Sequence, residues 1–167
     1  MFAIIHLSDA HFKADGNWIE DKGPLIARAL LPHLQDVSQV LLLLSGDVAY
    51  SGLAAEYARA NTFIDGLERE LIKSTPGLTI TKRAVPGNHD CDFSRNDEIR
   101  TTLVESLVRD DKASVAPLQV VVHCTSPQAA FWDFEATLCG NTRAPQARAG
   151  YFDSIAVGDR TVDIIGL

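Results

Sequence analysis

The sequence has few cysteines and no long apolar run, and both shortages exclude classes of protein. Its 167 residues include three cysteines, an odd number without a CxxC spacing, which argues against a disulfide framework and a zinc ribbon. The longest apolar run, VLLLL at 40–44, is far too short to cross a bilayer. The N-terminus lacks the positively charged lead of a secretory signal. We therefore expect a reduced, cytoplasmic protein without membrane association.

Basic residues are also scarce. Fifteen Lys and Arg stand against 22 Asp and Glu, which gives a net charge of −7. This balance provides no broad basic face, so nucleic acid is not favoured as a partner, and an anionic substrate would need bound cations. A hydrophobic content of 46% without a low-complexity tract predicts a globular chain, and 167 residues fit one domain.

Three segments share one pattern, in which a short apolar run ends in small and polar residues. They are FAIIHLSDAH at 2–11, VLLLLSGDVAYSG at 40–52 and ITKRAVPGNHD at 80–90, and each predicts a buried strand that runs into a loop. Helical spacing of apolar residues lies between them at 22–35 and 53–74. In the second of these segments, one apolar stripe is formed by Leu53, Tyr57, Ala60, Ile64, Leu67 and Leu71. This alternation predicts a layered α/β sandwich with a largely parallel sheet, whose carboxyl edge brings the three loops together.

The rest of the chain shows a different pattern. Residues 92–150 contain further helical segments and one run, PLQVVVHCTS at 117–126, that is ambiguous between strand and helix, and we interpret the whole as a helical cap inserted over the site, within a single domain that spans 1–167. The aromatic residues at 131, 132 and 134 are expected to pack this cap. Residues 149–167 form two alternating runs joined by Gly158-Asp159, which predicts a β-hairpin.

The polar loops carry residues that bind metals. Asp9 and His11 follow the first predicted strand, Asp47 follows the second, and Asn88 and His89 follow the third. Carboxylate, imidazole and amide groups form a ligand set of intermediate hardness, which suits Mn²⁺, Fe²⁺ or Fe³⁺, or Zn²⁺, and also allows Mg²⁺. Ordinary loop polarity is the alternative, but five such side chains after three strands favour a metal site.

These residues occur in a known order. The pattern D-x-H, then GD, then GNH[DE] is found here as Asp9-Ala10-His11, Gly46-Asp47 and Gly87-Asn88-His89-Asp90. In this the chain resembles the calcineurin-like metallophosphoesterases. The resemblance implies hydrolysis of phosphate mono- or diesters, nucleotides among them, by a hydroxide on a binuclear centre of two divalent ions.

The resemblance also implies a role for each residue. Asp9 and His11 would ligate one ion, Asp47 would bridge both ions, and Asn88 would ligate the second. His89 would face the substrate phosphate without binding metal. Asp90 would orient the ring of His89, with a plain turn residue as the alternative.

The sequence departs from the family pattern downstream of His89. Family members carry a lone His and then a Gly-His-x-His pair, whereas this chain has only His123 beyond that point. We therefore expect an N-terminal part of a larger phosphoesterase, with weak metal binding by itself, or a chain that completes its site by self-association or by pairing with a C-terminal half. Two alternative functions remain open, namely a nuclease and a non-catalytic module that binds phosphate or a partner.

Overall fold

A computed structural model of the chain describes residues 1–110, 117–140, 151–158 and 160–166. Three strands, β1 (Phe2–Leu7), β2 (Gln39–Ser45) and β3 (Thr79–Val85), form a parallel sheet in the order β1-β2-β3. Two helices connect them, α1 (Gly23–Leu30) and α2 (Ala54–Ser74). The predicted alternation of strands and helices is therefore confirmed, as is the α/β class with a parallel sheet.

The central strand β2 explains why the sheet forms at this place. Val40, Leu42 and Leu44 alternate along β2 and are almost completely buried. They form one apolar core with residues of α2 that include Phe63 and Leu67. A parallel strand needs helices over its face, and the connecting helices provide that cover.

The apolar stripe predicted on α2 is buried with one exception. The buried members are Tyr57, Ala60, Ile64, Leu67 and Leu71. Leu53 is instead 40% exposed and lies at the N-cap of the helix, before its first residue. The assignment of Leu53 to this stripe was thus wrong, because the chain is still extended there and has not entered the helical repeat.

Three further helices follow the sheet, namely α3 (Glu98–Asp110), α4 (Leu118–Cys124) and α5 (Ala129–Cys139). Helix α5 packs against α2 and β3, and Phe134 stacks on Tyr57 with ring centroids 5.0 Å apart. The aromatic residues of α5 therefore belong to the main core. A cap over the site at 92–150 stays a prediction, and its stretches 111–116 and 141–150 lie outside the described residues.

The predicted hairpin is confirmed. Strands β4 (Tyr151–Val157) and β5 (Arg160–Gly166) pair in antiparallel register. Gly158 adopts a φ of 62° in the turn, while Asp159 lies outside the described residues. The amide of Gln39 on β2 donates to the Ala156 carbonyl at 3.3 Å, which connects the hairpin to the parallel sheet.

The helices and the cysteines bear on two of the sequence predictions. Among the described residues, no helix has both the length and the apolar character needed to cross a membrane. All three cysteines lie in the described part of the chain, and none of them forms a disulfide.

Candidate metal centre

The loops after β1 and β2 run side by side at the carboxyl edge of the sheet. The backbone N–H of Asp9 donates to the Gly46 carbonyl at 3.3 Å, and that of His11 donates to the Asp47 carbonyl at 3.0 Å. Phe12 and Ala49 then form a parallel bridge. The two loops therefore extend the sheet pairing beyond the strands and fix Asp9, His11 and Asp47 relative to one another.

The backbone is strained at these same three residues. Asp9, His11 and Asp47 have φ values of 56°, 47° and 52°, and in the described part of the chain they are the only non-glycine residues with positive φ. Residues other than glycine rarely adopt this left-handed region, although Asp and His tolerate it better than most residues. Strain of this kind concentrates at functional sites, so the backbone independently marks the residues that the sequence motif selects.

His11, Asp47 and His89 form a cluster that can hold a metal ion. Each offers a ligand atom, and the three atoms lie within 4.8 Å of one another. Nε2 of His11 lies 4.0 Å from Oδ2 of Asp47, which fits two ligands on one ion because ligand distances of about 2.0–2.2 Å allow separations up to about 4.4 Å. Nδ1 of His11 is buried without a hydrogen-bond partner among the described residues. The donor set thus fits a divalent cation.

The position of the Asp47 carboxylate depends on Gly87. The backbone N–H of His89 donates to Oδ1 of Asp47 at 3.0 Å. A Cβ atom on Gly87 would lie 2.1 Å from the same oxygen and 2.5 Å from the Asp47 nitrogen. Only glycine leaves room for this approach, which explains the glycine that precedes Asn88 and His89.

The ring of His89 is fixed by a main-chain carbonyl. Its Nδ1 lies 2.8 Å from the carbonyl oxygen of Tyr50, and since a carbonyl can only accept, Nδ1 carries the proton. In the neutral ring, the lone pair is then on Nε2. His89 stands edge to face with His11, with ring centroids 4.6 Å apart. This tautomer leaves Nε2 able to bind an ion or, when protonated, to donate to a phosphoryl oxygen.

The expected contact between Asp90 and the His89 ring is wrong. The Asp90 carboxylate is completely buried and accepts four hydrogen bonds from other groups: Val48 N at 3.2 Å, Ala49 N at 2.8 Å, Gly87 N at 2.9 Å and Tyr57 Oη at 2.9 Å. The chain places the carboxylate beneath the loops, away from the imidazole. Asp90 therefore joins the loop after β2 to the loop after β3.

The remaining two motif residues lie at the rim. Asp9 is exposed, and its carboxylate accepts a hydrogen bond from the Ser8 hydroxyl. Asn88 is also exposed and lines a cleft together with His89. The carboxylate of Asp9 does not belong to the cluster of His11, Asp47 and His89, so its assignment as a ligand stays a prediction.

Three residues that support the site were missed by sequence analysis. Asn17 donates to the carbonyls of Ala10 and His11, at 3.1 and 2.9 Å, and so holds the strained loop. Tyr50 supplies the carbonyl that binds His89. Tyr57 donates to Asp90, and burial, followed by the charge of Asp90, raises the pKa of its phenol, so it remains a donor. Tyr57 was assigned to an apolar stripe, and only its hydroxyl hinted at a polar partner.

A comparison with protein families agrees with the motif. The family model described as calcineurin-like phosphoesterase matches residues 2–141, which is most of the chain and includes every residue of the candidate centre. No curated protein and no solved structure matches the chain.

Proposed function

We propose metal-dependent hydrolysis of phosphate mono- or diesters for this chain, which belongs to the calcineurin-like phosphoesterase family. The observation that carries the proposal is the cluster of His11, Asp47 and His89 at the carboxyl ends of three parallel strands. Because Asp9 and Asp47 place carboxylates at the centre, an anionic phosphate held there would need bound cations to offset the repulsion. Nucleotides fall within the substrate class, and the reaction is assigned to the cytoplasm.

The proposed centre would hold two metal ions, for which the divalent ions Mn²⁺, Fe²⁺ and Zn²⁺, and also Fe³⁺, suit the ligands best. His11 and Asp9 would hold the first ion, Asn88 would hold the second, and Asp47 would hold both. Bound divalent ions would polarise the phosphoryl oxygens and lower the pKa of water. The carboxylate of Asp47 has two oxygens with which it could bind the two ions, and its Oδ1 is already fixed by the N–H of His89.

His89 moves the proton in the proposed reaction. Water adds to phosphorus, the ester P–O bond breaks, and the leaving oxygen takes a proton from Nε2 of protonated His89. The proton that the attacking water loses passes to solvent, and His89 takes a proton from solvent before the next turnover. Nδ1 keeps its own proton throughout, because it donates to the Tyr50 carbonyl. Asp90 acts as a positioning residue, since it joins the loops that carry Asp47 and His89.

Substitution of Asp47 tests the centre. We expect Asp47→Asn to lose at least tenfold in Mn²⁺ affinity and in turnover of an aryl phosphate ester, because a neutral amide replaces the carboxylate that serves both ions. Asp65→Asn is the matched control, because Asp65 lies exposed on α2. Metal binding by calorimetry and turnover with added Mn²⁺ measure the two effects. Equal metal affinity and equal turnover rates in both variants would contradict the assignment of Asp47 as a metal ligand.

The same measurements separate the alternatives. Metal binding without turnover of any ester would favour a non-catalytic phosphate-binding module. Turnover of single-stranded DNA that falls steeply with salt would favour a nuclease, because contacts to a phosphate backbone release counterions.

A further inference from the structure

A cleft of about 470 Å³ lies directly beside the candidate centre. We call it the Phe93 cleft, and its walls include Tyr50, Leu53, Asn88, His89 and Phe93. Asn88 and His89 thus belong both to the centre and to the cleft. A phosphate held at the centre would carry one of its ester groups into this space.

The walls of the Phe93 cleft are unusually apolar for an exposed surface. Tyr50 is 45% exposed, Leu53 is 40% exposed and Phe93 is 60% exposed. They come from two separate segments, the loop after β2 and the segment after His89, yet they meet at one place. Large apolar side chains that converge on solvent beside polar groups mark ligand sites.

The walls are also fixed in place. The buried carboxylate of Glu56 accepts from the backbone N–H of Ser51 at 2.9 Å and of Leu53 at 3.0 Å. A Cβ atom on Gly52 would lie 2.5 Å from the Asp92 nitrogen, so the two segments are in close backbone contact there. The apolar surface is therefore preorganised, which lowers the entropic cost of binding a ligand.

Charge distinguishes the Phe93 cleft from the centre. Among the described residues that line it there is no lysine or arginine, and its one carboxylate, Asp92, is paired with Arg95 at 3.3 Å. These lining residues therefore offer no cation of their own to a second phosphate. The ammonium of Lys13 instead lies 4.5 Å from the ring centroid of Tyr50, and Lys13 lines the neighbouring cleft that contains Asp9 and His11. Positive charge and apolar surface are thus separated by the Tyr50 ring.

We propose that the Phe93 cleft binds an uncharged aromatic or apolar ester group of the substrate. This inference rests on the proposed function, since the phosphate of the same molecule must occupy the centre. The substrate class is then an ester of phosphate with an aryl or similar apolar group, and esters that carry a second phosphate bind poorly.

Two phosphonates that resist hydrolysis test this inference by binding rather than by turnover. Calorimetry with the full chain and Zn²⁺ compares phenylphosphonate with methylphosphonate. We expect phenylphosphonate to bind about tenfold more tightly, which corresponds to about 1.4 kcal/mol. Phe93→Ala and Leu53→Ala should each remove most of this preference and leave the affinity for methylphosphonate unchanged. Ile72→Ala is the control, because Ile72 is a similarly exposed apolar residue on α2 that does not line the cleft.

The outcomes separate this inference from the proposed function. Zinc-dependent binding of both phosphonates with equal affinity would overturn the proposal that the Phe93 cleft binds an ester group and would support the proposed metal centre. A preference for phenylphosphonate that survives chelation of zinc but disappears in Phe93→Ala would support the cleft and overturn the centre. Equal weakening of both phosphonates in Phe93→Ala would contradict a selective role for Phe93. Zinc-independent binding without any preference would overturn both proposals.

Discussion

Replacement of Asp90 by Asn should be one of the most destabilising conservative changes in this chain. The carboxylate is completely buried and accepts from three backbone N–H groups and the Tyr57 hydroxyl. Hydrogen bonds to a charged group contribute about 1.5–3 kcal/mol each, and a buried N–H left without an acceptor costs about 1–3 kcal/mol. The free energy of unfolding is therefore sensitive to the replacement of a single carboxylate oxygen of Asp90 by an NH₂ group.

The orientation of the new amide decides the magnitude. If its NH₂ group replaces Oδ2, it faces the N–H groups of both Val48 and Gly87. If it replaces Oδ1, it faces only Ala49 N–H, because the Tyr57 hydroxyl can turn and accept. The second orientation costs less. It leaves one N–H unsatisfied and weakens two charged hydrogen bonds, so we expect a loss of about 3–5 kcal/mol.

Urea unfolding measures this loss. With an m-value of about 2 kcal/mol/M, the midpoint should fall by about 2 M in Asp90→Asn. Tyr57→Phe removes one donor but leaves the carboxylate three N–H partners, so its expected loss is about 1–2 kcal/mol. Asp65→Asn, on the exposed face of α2, should change the stability by less than about 0.5 kcal/mol. A loss below about 1 kcal/mol in Asp90→Asn would refute the assignment of Asp90 as the connector of the two loops.

Two further predictions concern the same loops. Gly87→Ala should abolish metal binding and lower the melting temperature, because its Cβ would lie 2.1 Å from Oδ1 of Asp47. Gly66→Ala is the control and should be neutral or stabilising, because its Cβ would meet only Pro24 side-chain atoms, at 3.4 Å or more; similar melting temperatures of the two variants would contradict the steric argument. Burial raises the pKa of the Cys91 thiol, so iodoacetamide at pH 8 should alkylate Cys91 several times more slowly in the folded protein than in urea. Mass spectrometry of the peptide that contains Cys91 measures both alkylation rates, and equal rates would contradict a raised thiol pKa in the folded protein. The raised pKa of Cys91 also makes the stability of the fold depend on pH. Its contribution to the free energy of unfolding is present below the pKa of the thiol in the unfolded chain and is lost as the pH rises through the pKa in the folded protein.

The fold could be predicted from hydrophobic periodicity because its main elements have strong local signals. The apolar run that becomes β2 and the long stripe that becomes α2 both follow from spacing alone. Leu53 was misassigned because the repeat was extended one residue past the start of the helix. Helix α4, at 118–124, was left ambiguous because three consecutive valines suit a strand as well as a short helix.

The candidate site could be predicted only as far as residue types reveal chemistry. The structure brings His11, Asp47 and His89 of the motif together, because parallel strands bring their carboxyl ends to one edge. It could not show that Asp90 turns inward, since adjacency in sequence does not fix the direction of a side chain. The Tyr50 carbonyl that binds His89 is a main-chain group, and the residue type gives no signal for it.

The backbone strain at the centre gives an argument for function that does not depend on the motif. Asp9, His11 and Asp47 in the left-handed region cost about 1–3 kcal/mol each, so together they cost about 3–9 kcal/mol. A domain has only about 5–15 kcal/mol of net stability. The cross-loop bonds from His11 N to Asp47 O and from Phe12 N to Val48 O, together with the buried Asp90 carboxylate, hold the loops against this strain. A fold that used these loops only as connections could relieve the strain with glycine at any of the three positions. The presence of carboxylate and imidazole side chains at these strained positions therefore supports the proposed metal centre.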